Sequence, residues 1–154
     1  MPDRKRLLVV FHTQSGNTGR LADAVLAGAR LVTKTETVCL RAFDAGVSDL
    51  LQADGLLIGT PENFGYMSGA IKDFFDRTYY PVEGLMQATP YALFVSAGND
   101  GTGAVREIDR IANGYGWKPV AEPVISRKAV SDADLEACRD LGEAMATGLA
   151  LGIF

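Results

Sequence analysis

Cysteine and histidine are scarce in this sequence: Cys39, Cys138 and His12 are all it has of the two. Without a C-x-x-C spacing there is no cysteine zinc site, and two distant thiols make no disulfide framework. One histidine cannot build a histidine metal site. The cysteines read as small buried hydrophobes in a reducing compartment. The net charge of −4 is mild and offers no basic stripe for a phosphodiester backbone, so no nucleic-acid partner is expected. No apolar run approaches membrane-spanning length. The run at residues 7–11, after the basic start Met1-Pro2-Asp3-Arg4-Lys5-Arg6, is too short for a signal sequence. The expectation is a cytoplasmic chain with no membrane partner.

Missing motifs exclude further classes. There is no G-x-x-x-x-G-K-[ST] of a phosphate-loop NTPase, and no G-x-G-x-x-G follows the first apolar run as a dinucleotide site requires. The first loop has no cysteine with a nearby arginine, which excludes cysteine phosphatases.

What is present is a regular alternation. At 154 residues, 47% apolar and 22% charged, the chain is the size and composition of a single globular domain, residues 1–154. Continuous apolar runs at 7–11, 55–58 and 91–95 read as strands buried on both faces. Residues 37–42 alternate, and residues 120–125 carry Pro123, which has no N–H for a ladder; both read as edge strands. Helical spacing is expected over 18–32, 68–79 with Pro81 as its stop, 102–115, and a last helix after a Ser131/Asp134 capping box. Strands alternating with helices imply an α/β three-layer sandwich around a five-stranded parallel sheet. Edge character at the second and fifth strands selects the order 2-1-3-4-5.

In that order the strand sequence reverses between the first and third strands, and ligands bind outside the carboxyl ends there. The loop His12-Thr13-Gln14-Ser15-Gly16-Asn17-Thr18 leads into a helix amino terminus, which favours an anion. It carries hydroxyls at Thr13, Ser15 and Thr18 and the Asn17 amide, but no lysine or arginine. An ordinary strand-to-helix turn with a capping residue remains the alternative. The loop 59–69 sets Phe64 and Tyr66 among glycines, suited to flanking a flat ring or to local core. The loop 96–103 has Gly98, Gly101 and Gly103, suited to close backbone approach or to a mobile turn. The third strand ends in Gly59-Thr60 and not in aspartate, so a phospho-receiver domain fits poorly.

Thr13-Gln14-Ser15-Gly16-Asn17-Thr18 resembles the flavodoxin pattern T-x-[ST]-G-N-T. Gly59-Thr60-Pro61, Phe64-Gly65, Gly69 and the run Lys72-Asp73-Phe74-Phe75-Asp76-Arg77 resemble the flavodoxin-like quinone reductases related to the tryptophan-repressor-binding protein. The resemblance implies a flavodoxin-like fold and noncovalent FMN. It implies that Thr13, Gln14, Ser15, Gly16, Asn17 and Thr18 hold the phosphate. Pro61, Glu62, Asn63, Phe64 and Gly65 would line the isoalloxazine. Ser96, Ala97, Gly98, Asn99, Asp100 and Gly101 would contact its pyrimidine edge and the ribityl chain. His12 is then a strand-end residue or a contact to the phosphate or flavin edge. FMN is expected over FAD, because no second Gly-rich helix start offers itself to a pyrophosphate.

Two functions follow. One is an oxidoreductase moving reducing equivalents from NAD(P)H through FMN to a quinone or similar acceptor, with no side chain required as acid or base. The third loop lacks the aromatic that electron-carrier flavodoxins usually stack on the flavin, which leaves a face open. The other is an electron carrier that docks on a redox partner protein; a flavin-free binding domain is the remaining possibility. The aromatic segment 74–81 suits core packing or the interface of a homo-oligomer.

Overall fold

Leu7, Leu8, Val9 and Val10 are fully buried because their strand, β1 (Lys5–Phe11), has a neighbour on each side and helices over both faces. The computed structural model describes residues 4–154; Met1–Asp3, where the basic stretch begins, lie outside them. β2 (Thr35–Arg41) pairs with one side of β1 and β3 (Gly55–Pro61) with the other, and β4 (Pro90–Ala97) pairs with β3, all parallel. The order is 2-1-3-4-5, as the edge character of the second and fifth strands predicts.

The fifth strand is the main departure. In place of one strand over 120–125 there are two short ones, β5 (Lys118–Pro119) and β6 (Val124–Arg127), both parallel to β4, so the sheet has six strands. Tyr91 pairs with Pro119 and Phe94 with Val124: three steps along β4 answer five along the partner, and the excess bulges outward. Pro119 and Pro123 bracket the bulge and remove two ladder donors.

Helices α1 (Asn17–Ala29) and α5 (Asp132–Leu151) cover one face, where Leu21, Val25 and Met145 meet Val9, Leu57 and Phe94. These two helices touch backbone to backbone. A Cβ on Gly28 would sit 1.9 Å from the Arg139 carbonyl oxygen, and one on Gly142 2.0 Å from that of Val25. Helices α2 (Val47–Gln52), α3 (Gly69–Val82) and α4 (Thr102–Tyr115) cover the other face, burying Leu50, Ile71, Phe74 and Ile108 against Leu8, Val10 and Ile58.

The Ser131/Asp134 capping box forms as read, with reciprocal bonds of 3.1 and 3.0 Å. Pro81 does not stop α3, which runs on to Val82. A proline in a last turn forfeits a single bond, here to the Arg77 carbonyl, while Thr78 and Val82 hold that turn on the core. In the aromatic segment Phe74 and Phe75 are core, and Tyr80 is 79% exposed. Both thiols are free; burial pushes Cys39 up to about 11 and Cys138 up to about 12. Among the described residues no helix is long and apolar enough to cross a membrane.

Candidate functional site

Parallel pairing brings the carboxyl ends of β1, β3 and β4 to one edge, and the three loops leaving them meet there. Two helices begin at this edge from a glycine in the left-handed region: α1 at Gly16 (φ 100°) and α4 at Gly101 (φ 85°). A glycine reaches that region without the Cβ clash other residues suffer, but it has no side chain with which to cap the helix.

The two ends are completed differently. At α4 the cap comes from a distant residue. The N–H groups of Gly101 and Ala104 donate to the two carboxylate oxygens of Glu62, at 2.9 and 3.1 Å. At α1 no side chain caps the first turn among the described residues, and that turn holds no acidic residue. The first internal bond is Arg20 N–H to the Gly16 carbonyl, which leaves Asn17, Thr18 and Gly19 without an intrahelical acceptor. An open helix start of this kind suits an anion.

The second loop is firmly held. Thr60, fully buried, accepts from the Ser68 N–H at 2.9 Å. The Glu62 N–H donates to the Ser96 carbonyl at 2.8 Å, and the Asn63 amide donates to Gln14 at 2.7 Å. Asn63 and Tyr66 exchange backbone bonds across a tight turn whose central residues both have positive φ, Phe64 at 54° and Gly65 at 73°. That is the two-residue hairpin turn that glycine and asparagine favour, and Phe64 occupies it with its ring fully exposed. The Gly65 carbonyl lies so close to Gly103 that a Cβ there would come within 2.3 Å of it, so α4 and the hairpin are locked together.

The three loops enclose a cleft of about 360 Å³. Of the residues singled out from the sequence, Gln14, Ser15, Asn17, Pro61, Glu62, Asn63, Ser96, Ala97 and Gly98 line it. The others lie around it. Thr13 accepts from the Gly16 N–H at 3.2 Å and faces a neighbouring cleft. Gly16 shapes the helix start, and Thr18 is buried with its hydroxyl 2.7 Å from that of Ser96. Phe64 and Gly65 form the hairpin tip. Asn99 is exposed, Asp100 bonds to Thr102 and receives Arg127 on its carbonyl, and Gly101 is the α4 cap.

One lining residue escaped the sequence reading. Lys128, with φ 63°, follows β6, and its N–H donates to the Ala97 carbonyl at 2.7 Å. A lysine directly after the last parallel strand sits at the same edge as the loops leaving the first, third and fourth strands, and that position is its sequence signal. The cleft thus combines an open helix start, neutral hydroxyl and amide donors, one lysine, the Glu62 carboxylate held by α4, and the open backbone of Gly98. That set fits a phosphate joined to a polar chain and a flat ring. It does not fit a metal, and among the described residues no cluster of histidine, cysteine or carboxylate side chains could hold one.

Comparison with known proteins agrees with this geometry. Residues 8–130 match the family described as NADPH-dependent FMN reductase. A flavodoxin from Aquifex aeolicus is 30% identical over 162 aligned positions, covering 95% of this chain and 88% of that protein. An NAD(P)H dehydrogenase (quinone) from Acidithiobacillus ferrooxidans is 31% identical over 93 positions, 47% of this chain and 46% of that one, so the match spans about half of each. Among solved structures, a WrbA-like flavodoxin from Agrobacterium tumefaciens superposes with a TM-score of 0.80 at 23% identity, covering 96% of this chain and 98% of that one. A flavodoxin from Bacillus cereus superposes with a TM-score of 0.79 at 24% identity, covering 93% and 98%. At those identities the superpositions speak for the flavodoxin fold. With the match over residues 8–130 and the long alignment with a flavodoxin, the chain belongs to the FMN-binding, flavodoxin-fold family of NADPH-dependent FMN reductases.

Proposed function

We propose that this protein is an oxidoreductase that holds FMN in the cleft between its three loops and passes reducing equivalents from NAD(P)H to a quinone-like acceptor. The observation that carries the proposal is the contrast between the two glycine-started helices at this edge. α4 is sealed by Glu62, while α1 is left open beside Ser15 and Asn17. In this reading the α1 N–H groups, the Ser15 hydroxyl and the Asn17 amide bind the phosphate, and Lys128 adds a cation beside them. Pro61, Asn63 and the backbone of Ser96 to Gly98 bound the ring. Glu62, Thr18, Gly101 and the hairpin residues position these groups. FMN, when bound, supplies the redox chemistry. The third loop puts no aromatic side chain over the cleft, which leaves room for a second flat molecule to stack. Free thiols at Cys39 and Cys138 support a reducing, cytoplasmic location.

The long alignment with a flavodoxin favours a second reading, an electron carrier without turnover. Two measurements decide. The apoprotein, titrated with FMN and riboflavin by fluorescence quenching, should prefer FMN, and Ser15→Ala should narrow the difference. Equal affinity for both flavins would remove the phosphate site. The reconstituted protein should oxidise NADPH with a benzoquinone as acceptor over many turnovers; reduction that stops after one flavin equivalent would leave the carrier.

A further inference from the structure

A second cleft, of about 290 Å³, opens on the other side of the β1–α1 loop, where β1 and β2 end. His12 and Thr13 form one wall; Arg41, Phe43 and Asp44 form the other. The flavin cleft begins at the next residue, Gln14, so a single loop separates the two.

The second wall is built to be rigid. Residues 42–44 form a single 3-10 turn. The Arg77 guanidinium, paired with Asp73 at 2.7 Å, donates to the carbonyls of Ala42 at 2.9 Å and Ala45 at 3.0 Å. Ala42 and Ala45 are buried, so the turn is pinned from below while Phe43 stands 67% exposed above it. An exposed aromatic on a pinned turn keeps its ring ready for stacking at little cost in entropy.

The Arg41 side chain is exposed and has no hydrogen-bond or ion-pair partner among the described residues, unlike those of Arg6, Arg77 and Arg127. The Nδ1 atom of His12 is buried and has no partner either, and its ring meets that of Phe43 edge-on at 6.2 Å. Asp44 supplies a carboxylate at the same place. A bare anion would be repelled by Asp44, and a purely apolar guest would bury the polar groups of His12 and Arg41 unpaired. A guest with a flat heteroaromatic base, a free sugar hydroxyl and a phosphate suits Phe43, Asp44 and Arg41 together. The base stacks on Phe43, the free 3′-hydroxyl donates to Asp44, and the 2′-phosphate meets the Arg41 fork.

We infer that this cleft binds the phosphoadenosine end of the dinucleotide donor, with the reducing end directed over the loop into the flavin cleft. The inference rests on the oxidoreductase reading for its choice of donor, but the site can be tested without turnover. The probe is 2′,5′-ADP, which carries the base, sugar and phosphates and no hydride. Calorimetric titration of the FMN-loaded protein should show binding at one site, with adenosine alone and inorganic phosphate alone binding much more weakly. Arg41→Ala and Phe43→Ala, both at exposed positions, should fold normally by circular dichroism and bind FMN as the parent does. Each should weaken 2′,5′-ADP binding about ten-fold or more, and each should raise KM for NADPH while leaving kcat in place. Failure of 2′,5′-ADP to bind, or binding indifferent to Arg41→Ala, overturns the inference. A protein that turns over NADPH with a KM insensitive to both substitutions loses this site and keeps the oxidoreductase reading. One that binds 2′,5′-ADP through Arg41 but oxidises no NADPH keeps the site and loses the reading.

Discussion

Glu62 lines the cleft while its carboxylate caps the start of α4. The resemblance places it against the flavin; the structure gives its carboxylate two N–H donors at the start of α4, Gly101 at 2.9 Å and Ala104 at 3.1 Å. Glu62→Ala tests which account holds. The substitution strands two donors at buried positions and removes a negative charge from a helix amino terminus. Loss of a capping acceptor costs about 1 kcal/mol, and loss of the charge at the dipole about 0.3–1 kcal/mol. With the second donor stranded as well, the total comes to roughly 3 kcal/mol. For a domain of this size that lowers Tm by roughly 6–12 °C. Glu62→Gln keeps one acceptor oxygen and should lose about half as much. Unfolding should be followed by far-UV circular dichroism without FMN, because ligand binding adds its own stabilisation. FMN affinity should then fall only modestly, through loosening of the hairpin. If Glu62→Ala melts where the parent does, yet binds FMN far more weakly, the carboxylate is a flavin contact and the clamp argument fails.

Three further outcomes follow from local geometry. Asp134 is pushed up by burial, but bonds from the Ser131 N–H and the hydroxyls of Ser126 and Ser131 outweigh this and hold it below the usual aspartate range. Its contribution to stability is therefore complete above the unfolded value near ~3.9 and is lost as pH falls through the lower folded value. Asp134→Asn should destabilise the protein at neutral pH, with the gap to the parent closing in acid urea titrations; a gap independent of pH would refute the assignment. Phe64→Asn should stabilise the apoprotein by about 0.5–1 kcal/mol, since asparagine tolerates positive φ and no packing is lost. A lower urea midpoint would mean that the Phe64 ring packs in solution. Thr18→Val and Ser96→Ala should each destabilise by about 1 kcal/mol, because each leaves the other hydroxyl buried and unpaired. The double variant should lose clearly less than the sum, and strict additivity in the cycle would rule out the 2.7 Å bond between them.

The layered sheet was legible because its signals are local. A strand covered on both faces must be apolar throughout, as Leu7 to Val10 and Leu56 to Ile58 are. An edge strand carries polar residues among apolar ones, as residues 37–41 do, and Glu36 to Leu40 are each left partly exposed. Strand order followed from edge character. Helix and strand ends that depend on one nearby side chain, such as Ser131 with Asp134, were equally readable. Other features depend on residues far apart in the chain. Pro81 reads as a stop, but burial of Val82 carries the helix past it, and Pro123 does not announce the register shift that splits the fifth strand.

The same division runs through the site. Ser15 and Asn17 could be placed at this edge from their positions alone, because they flank the start of the helix that follows the first strand. The role of Glu62 could not, since the donors it satisfies lie some forty residues further along, at Gly101 and Ala104. Nor could the arrival of Lys128 in the cleft, or the meeting of His12 with Phe43 beside Arg41. Sequence by itself settled which segments must be buried and where a helix start needs a charge. Only the parallel stacking of strand ends decided which distant side chains meet that need and which stand free for a ligand.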